Sequence, residues 1–140
     1  MRVLLDTNVV VDFLAKRQPF VKEASLLINA MLRGKITCVI PVHAATTIYY
    51  LIRKLDGLQS ANESTDWILS RFIIAPADKS LLQRARSLSL VDFEDAVVVA
   101  SAERENCDAI VSRDKRGFAA SVIPVFDPEE FLTKHSDIRR

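Results

Sequence analysis

A chain of 140 residues that is 49% hydrophobic and 26% charged has the size and composition of one folding unit, expected over 1–140, and excludes disorder or dependence on a disulfide or metal staple. Nineteen basic and 18 acidic residues leave a net charge of +1, so a polyanionic partner must be held by local patches rather than by a global field. No stretch approaches the ~18 apolar residues of a membrane helix. Asp6 interrupts the apolar start that a signal peptide would need, and no membrane association and a cytoplasmic location are the expectations.

Arg2 to Leu5 (RVLL) reads as a fully buried strand, and Asp12 falls on a first helix, as a solvated surface acid. From Phe20 to Arg33 the residues Val21, Ala24, Leu27, Ile28, Met31 and Leu32 form a 3.6-residue stripe that ends at Gly34, a natural C-terminal cap. Ile36 to Ile40 is the next strand, and Pro41 opens a helix to about Leu55. A further helix spans Asn62 to Phe72, followed by a short strand at Phe72 to Ala75. Asp78 caps a helix to about Leu88, and Asp92 caps one through about Glu105. Strands at Ala109 to Ser112 and Val122 to Phe126 precede a final helix, announced by Asp127-Pro128-Glu129-Glu130 with cap, first-turn proline and third-position acid. Cys38 and Cys107 lack CxxC spacing and sit in apolar runs, as free core thiols in a reducing compartment do.

Continuous apolar strands alternating with helices define an α/β fold: a three-layer α/β/α sandwich around a mostly parallel central sheet. The strands' carboxyl ends then share one edge, where such sheets place their ligands. Asp6 directly follows the first strand, and Asp114 follows AIVSR. Asp92-Phe93-Glu94-Asp95 opens the helix before that second strand and puts Asp95 at the third helical position. Singly, each acid has an ordinary explanation as a cap, a first-turn acid or a loop acid. Together they form a cluster at one edge. Two carboxylates 4 Å apart repel by about 4 kcal/mol at an effective dielectric near 20, so such a cluster calls for a counter-ion. Acids without nearby His or Cys suit a hard divalent cation, Mg²⁺ or Mn²⁺, able to promote phosphodiester hydrolysis. Thr7 and Ser112 offer hydroxyls that orient the carboxylates.

LLDTNVVVDFL at the start, DFEDA opening a late helix and AIVSRDKRGF beyond it resemble the PIN domain family, closest to the bacterial group that includes toxins of toxin–antitoxin pairs. The resemblance covers essentially the whole chain. It implies a PIN-like fold and a metal-dependent endoribonuclease that hydrolyses RNA phosphodiesters, with Asp6, Asp95 and Asp114 as catalytic and metal-binding residues, Asp92 as a fourth ligand, and Thr7, Asn8 and Ser112 in support. It also implies a protein antitoxin as partner. One departure stands out: PIN nucleases commonly carry a glutamate on the helix after the second strand, whereas no acid occurs here from Ala24 to Leu55, and Thr46 or Thr47 occupies the expected place. Asp92, Glu94 or Asp12 then replaces that ligand, with Asp92 favoured, or the second metal is weak, or catalysis is impaired.

Arg113, Lys115 and Arg116 flank Asp114 and are candidate RNA contacts, as are Lys16-Arg17 and Arg53-Lys54. Tyr49 and Tyr50 are possible base-stacking residues of which at least one is core, and His43 is either a proton shuttle or an ordinary partly buried histidine. The apolar helices EASLLINAML and DWILSRFII predict a homodimer. Two other readings remain. A phosphatase with Asp6 as nucleophile needs a second acid two residues on, where Asn8 stands. A catalytically weak PIN-fold RNA- or protein-binding regulatory module is motivated by the missing helical glutamate.

Overall fold

Arg2–Leu5 forms β1, and Val3, Leu4 and Leu5 are fully buried, as a strand covered on both faces requires. In the computed structural model, which describes residues 1–139, β1 is the middle of a five-stranded sheet with β2 (Thr37–Pro41), β3 (Ile73–Ala75), β4 (Ala109–Val111) and β5 (Val125–Phe126). The spatial order is β3-β2-β1-β4-β5, and every neighbouring pair is parallel. Alternation along β1 divides the core. Val3 and Leu5 pack with α1 (Thr7–Leu14), α2 (Val21–Leu32), α3 (Val42–Arg71) and α6 (Pro128–Lys134), while Leu4 faces α5 (Phe93–Arg104). Outside α5 lies α4 (Lys79–Ser87), whose Leu81 and Ala85 pack on Ala96, Val97 and Ala100. The expected α/β/α layering and parallel sheet are present.

The helix ends follow their sequence signals. Gly34 takes φ 74°, and the N–H groups of Gly34 and Lys35 donate to the carbonyls of Met31 and Ala30 at 2.9 Å each, closing α2 in a Schellman turn. Asp78 Oδ1 accepts from Leu81 N, Asp92 Oδ1 from Asp95 N, and Asp127 forms a full capping box with Glu130.

Three boundaries differ from expectation. The helices placed at Pro41 to Leu55 and Asn62 to Phe72 are the two halves of α3 and meet with no loop between them at a kink, Gly57, whose φ 89°, ψ 177° lies outside helical space. Residues 58–61 continue as helix because Ala61 buries its methyl in the core. The final strand is confined to Val125–Phe126, the part of Val122 to Phe126 that reaches β4, and Val122 lies exposed. A short 3-10 turn at Lys115–Phe118, unmarked by periodicity, follows Asp114 and inserts Phe118 beneath α5.

Asp12 is the main correction. It is 1% exposed, whereas a solvated surface acid was expected. Its neighbours Val9, Val10 and Val11 are fully buried, so α1 has no wet face at that point on which the carboxylate could lie.

Candidate active site

Strand polarity brings Asp6, His43, Ser112 and Asp114 to the carboxyl edge of the sheet, because β1, β2 and β4 run in parallel and end there. Asp6 continues the β1 ladder, its N–H donating to Val111 O at 2.9 Å, and then caps α1. Its carboxylate is held on both oxygens: Oδ1 accepts from Thr7 N at 2.9 Å and Oδ2 from the buried Ser112 hydroxyl at 2.7 Å. Ser112 Oγ in turn accepts from Asp114 N at 3.1 Å, so one side chain ties two acid-bearing segments together. Asn8 joins the same loop, its Oδ1 accepting from Arg113 N at 3.4 Å.

Asp92 and Asp95 enter from the N-terminus of α5, whose dipole favours negative charge. Asp92 is exposed and uses Oδ1 as the cap, while Asp95 is half-buried and faces the sheet edge. Proximity is visible electrostatically. Desolvation, then the charges of Asp92, Asp6, Asp114 and Glu94, push the Asp95 carboxyl up to about 6. Burial is also the main cause that raises Asp6, opposed by its bonds to Ser112 and Thr7 and by the nearby His43, and reinforced by Asp114. Gly117 closes one side: a Cβ there would strike Asp95 Oδ2 and lie 3.3 Å from its Cγ. Beside the acids opens a cleft of about 450 Å³ lined by Leu90, Val91, Asp92, Asp95, Arg116 and Gly117.

The chemistry of this donor set, all oxygen and lacking a counter-ion, fits a hard divalent cation. The carboxylates share a field without forming a ready cage: among the described residues, no group of three or more His, Cys, Asp or Glu side chains is gathered closely enough to hold an ion as it stands. The missing helical glutamate is not supplied by its neighbours. Thr46 and Thr47 turn their hydroxyls back onto His43 O at 2.8 and 3.1 Å. Instead α3 presents His43, whose Nε2 is buried without a hydrogen-bond partner and lies 3.7 Å from Glu94 Oε1. Of the two alternatives to Asp92, Glu94 therefore borders the site near His43, whereas Asp12 belongs to a separate arginine-bound position.

The basic residues divide. Arg113 Nε bonds Asp12 Oδ2 at 2.7 Å, and Lys115 Nζ contacts both oxygens of Glu130 at 2.8 Å, so both cations have carboxylate partners. Arg116 is exposed and lines the acidic cleft. Tyr49 packs on the core and Tyr50 is exposed. The thiols of Cys38 and Cys107 are free and buried, and burial pushes them up to about 12 and about 11, well away from reactive thiolates. No helix among the described residues is long and apolar enough to cross a membrane.

A parallel α/β/α sandwich with carboxylates converging at the carboxyl edge of β1 and β4 defines a class of acidic-site α/β proteins. Within that class the chain belongs to the PIN domain family, whose profile matches residues 2–116. Ribonuclease VapC1 of Aquifex aeolicus (strain VF5) is 28% identical over 138 residues, spanning 95% of this chain and 94% of that protein. Two solved structures share the fold. VapBC2 from Rickettsia felis, bound to a DNA fragment from its promoter, superposes with a TM-score of 0.67 at 18% identity over 91% of this chain and 98% of that chain. The sarcin-ricin loop cleaving toxin VapC20 of Mycobacterium tuberculosis gives 0.65 at 13% identity, covering 84% and 94%.

Proposed function

We propose that the chain is a divalent-metal-dependent endoribonuclease and the toxin of a toxin–antitoxin pair. The observation that carries this reading is the closeness of Asp92, Asp6 and Asp114 to Asp95, whose carboxyl is raised to about 6 by desolvation first and by their charges next, on an open edge. A relative named as a ribonuclease along nearly the full length supports it, as do neighbours solved with their antitoxins or named for RNA cleavage.

Asp6, Asp95 and Asp114 are the residues that would hold Mg²⁺ or Mn²⁺, with Asp92 as fourth donor. A bound divalent ion would supply a water nucleophile at neutral pH and offset charge developing on the scissile phosphate. Thr7 N–H and Ser112 Oγ keep the Asp6 oxygens oriented. Arg116 at the cleft wall attracts the phosphate backbone. A protein antitoxin would cover this edge. A second copy would bury exposed apolar side chains of α3, among them Tyr50, Leu55 and Leu69, which are 61%, 62% and 60% exposed.

Incubation with mixed RNAs in Mn²⁺, Mg²⁺ or EDTA tests the proposal. Cleavage is expected with either metal and not with chelator. Asp6→Asn is expected to lower it by about a hundredfold or more, with the circular-dichroism spectrum unchanged. Full activity in that variant would refute the assignment. The lack of any acid in α3 from Val42 to Leu55 favours one second reading, an RNA- or protein-binding module of weak activity. Tight RNA binding without turnover in any divalent metal would establish it.

A further inference from the structure

Asp12 stands apart from the acids of the cleft and is more deeply buried than any of them. Its carboxylate is divided between two arginines. Oδ1 accepts from Arg17 Nε at 2.8 Å, Oδ2 from Arg113 Nε at 2.7 Å, and Arg113 Nη2 adds a contact to Oδ1 at 3.3 Å. The Arg113 guanidinium also lies 3.9 Å from the centre of the Phe20 ring, which fixes its plane. A carboxylate at this depth persists only with its partners in place.

Both arginines lead back to the acidic edge. Arg17 Nη2 reaches Asn8 O at 3.4 Å, and Asn8 Oδ1 accepts from Arg113 N at 3.4 Å. Asn8 sits two residues after Asp6 in the first turn of α1, and Arg113 directly precedes Asp114. One buried anion thus gathers the turn that Asp6 caps and the loop that carries Asp114.

We propose that Asp12 is a positioning residue. Through Arg113 and Arg17 it sets the spacing of Asp6 and Asp114, an inference that rests on those two acids sharing a divalent ion in the nuclease reading. Removing the anion leaves two guanidinium groups facing each other with nothing between them. Asn at this position can accept from one arginine but cannot neutralise either.

Asp12→Asn is the test, with Mn²⁺ binding followed by electron paramagnetic resonance, cleavage kinetics on RNA, and amide hydrogen exchange. Mn²⁺ affinity is expected to fall about tenfold or more and kcat by a similar factor, the range seen when a group behind a metal ligand is lost. KM for RNA is expected to stay within about twofold, since Asp12 touches no substrate. Exchange at Arg113 and Asp114 is expected to quicken while the β1 and α5 amides keep their protection. Should Asp12→Asn not fold, Arg113→Lys carries the same readouts, because it retains the cation but loses the fork and the Phe20 stack.

A folded variant with unaltered Mn²⁺ affinity and kcat overturns the proposal, even if its melting temperature drops, since Asp12 would then be a structural clamp only. If the unaltered protein itself neither binds Mn²⁺ nor cleaves RNA, the nuclease reading fails and the positioning role falls with it. An active parent with equally active variants sinks the positioning role alone.

Discussion

A single hydroxyl, Ser112 Oγ, donates to Asp6 and accepts from the backbone of Asp114, so one side chain holds two acid-bearing segments at the sheet edge. Asp6 and Asp95 both hold protons more firmly in the folded chain than in the unfolded one. Their contribution to stability is therefore complete below about pH 4, the unfolded value, and is lost as pH rises through the folded value, about 6 for Asp95. Melts in EDTA are expected to show a higher Tm at pH 5 than at pH 7. The lowered carboxyls of Asp78 and Glu130 act oppositely, but only below their ordinary values of 3.8 and 4.5. Asp95→Asn should remove most of the difference, and Mn²⁺ should narrow it by stabilising the pH 7 form. A Tm that rises from pH 5 to pH 7 in EDTA would contradict the electrostatic account. At this scale the positions of the acids were legible in the sequence: Asp6 directly follows a buried strand, Asp92 caps α5, Asp95 lies in the first turn of that helix, and Asp114 lies three residues beyond β4. It misplaced Asp12, although part of the signal was present: an acid after three consecutive valines on a short helix has no solvent to face, and of its partners Arg17 is five residues on while Arg113 is distant in sequence.

Elements hold these side chains by close approach. The 3-10 turn at Lys115–Phe118 brings Gly117 against the Asp95 carboxylate with no room for a methyl group. Gly117→Ala is expected to keep the fold, because Phe118 still anchors the turn beneath α5, while Mn²⁺ affinity falls about tenfold. Equal affinity in calorimetric titration would show that Asp95 has space to move. In α3, Gly57 occupies a backbone region that is nearly exclusive to glycine. Gly57→Ala, though its Cβ would meet nothing within 4 Å, is expected to cost about 1–3 kcal/mol in chemical denaturation from backbone strain alone. Helices with caps and apolar stripes were legible almost to the residue. The narrowness of the break between the two halves of α3 and the shortening of the last strand were not, since both depend on what lies opposite them in the folded chain, the core beneath Ala61 and the edge of β4.

For the molecule as a whole, net charge is +1, Arg113 and Lys115 are engaged by carboxylates, and Arg116 is the basic residue lining the acidic cleft. If roughly two phosphates are neutralised, log affinity for single-stranded RNA should fall with log salt at a slope near −1.4. Arg116→Ala should make that slope shallower and weaken binding evenly across sequences. A slope several times steeper would mean a larger basic footprint than the cleft provides. The layered architecture and parallel sheet could be read from alternating buried strands and helices. The order of the strands could not, because nothing in a local pattern says that β1 lies between β2 and β4.

That order has a consequence for biosynthesis. Val3, Leu4 and Leu5 pair with Ala109, Ile110 and Val111, so β1 finds one of its two neighbours only after about a hundred further residues have been synthesised. Asp6 cannot meet Asp114 before that moment. A nascent chain still attached to the ribosome, lying among the very class of molecules its finished form is proposed to cut, would lack the assembled pair of acids until that point.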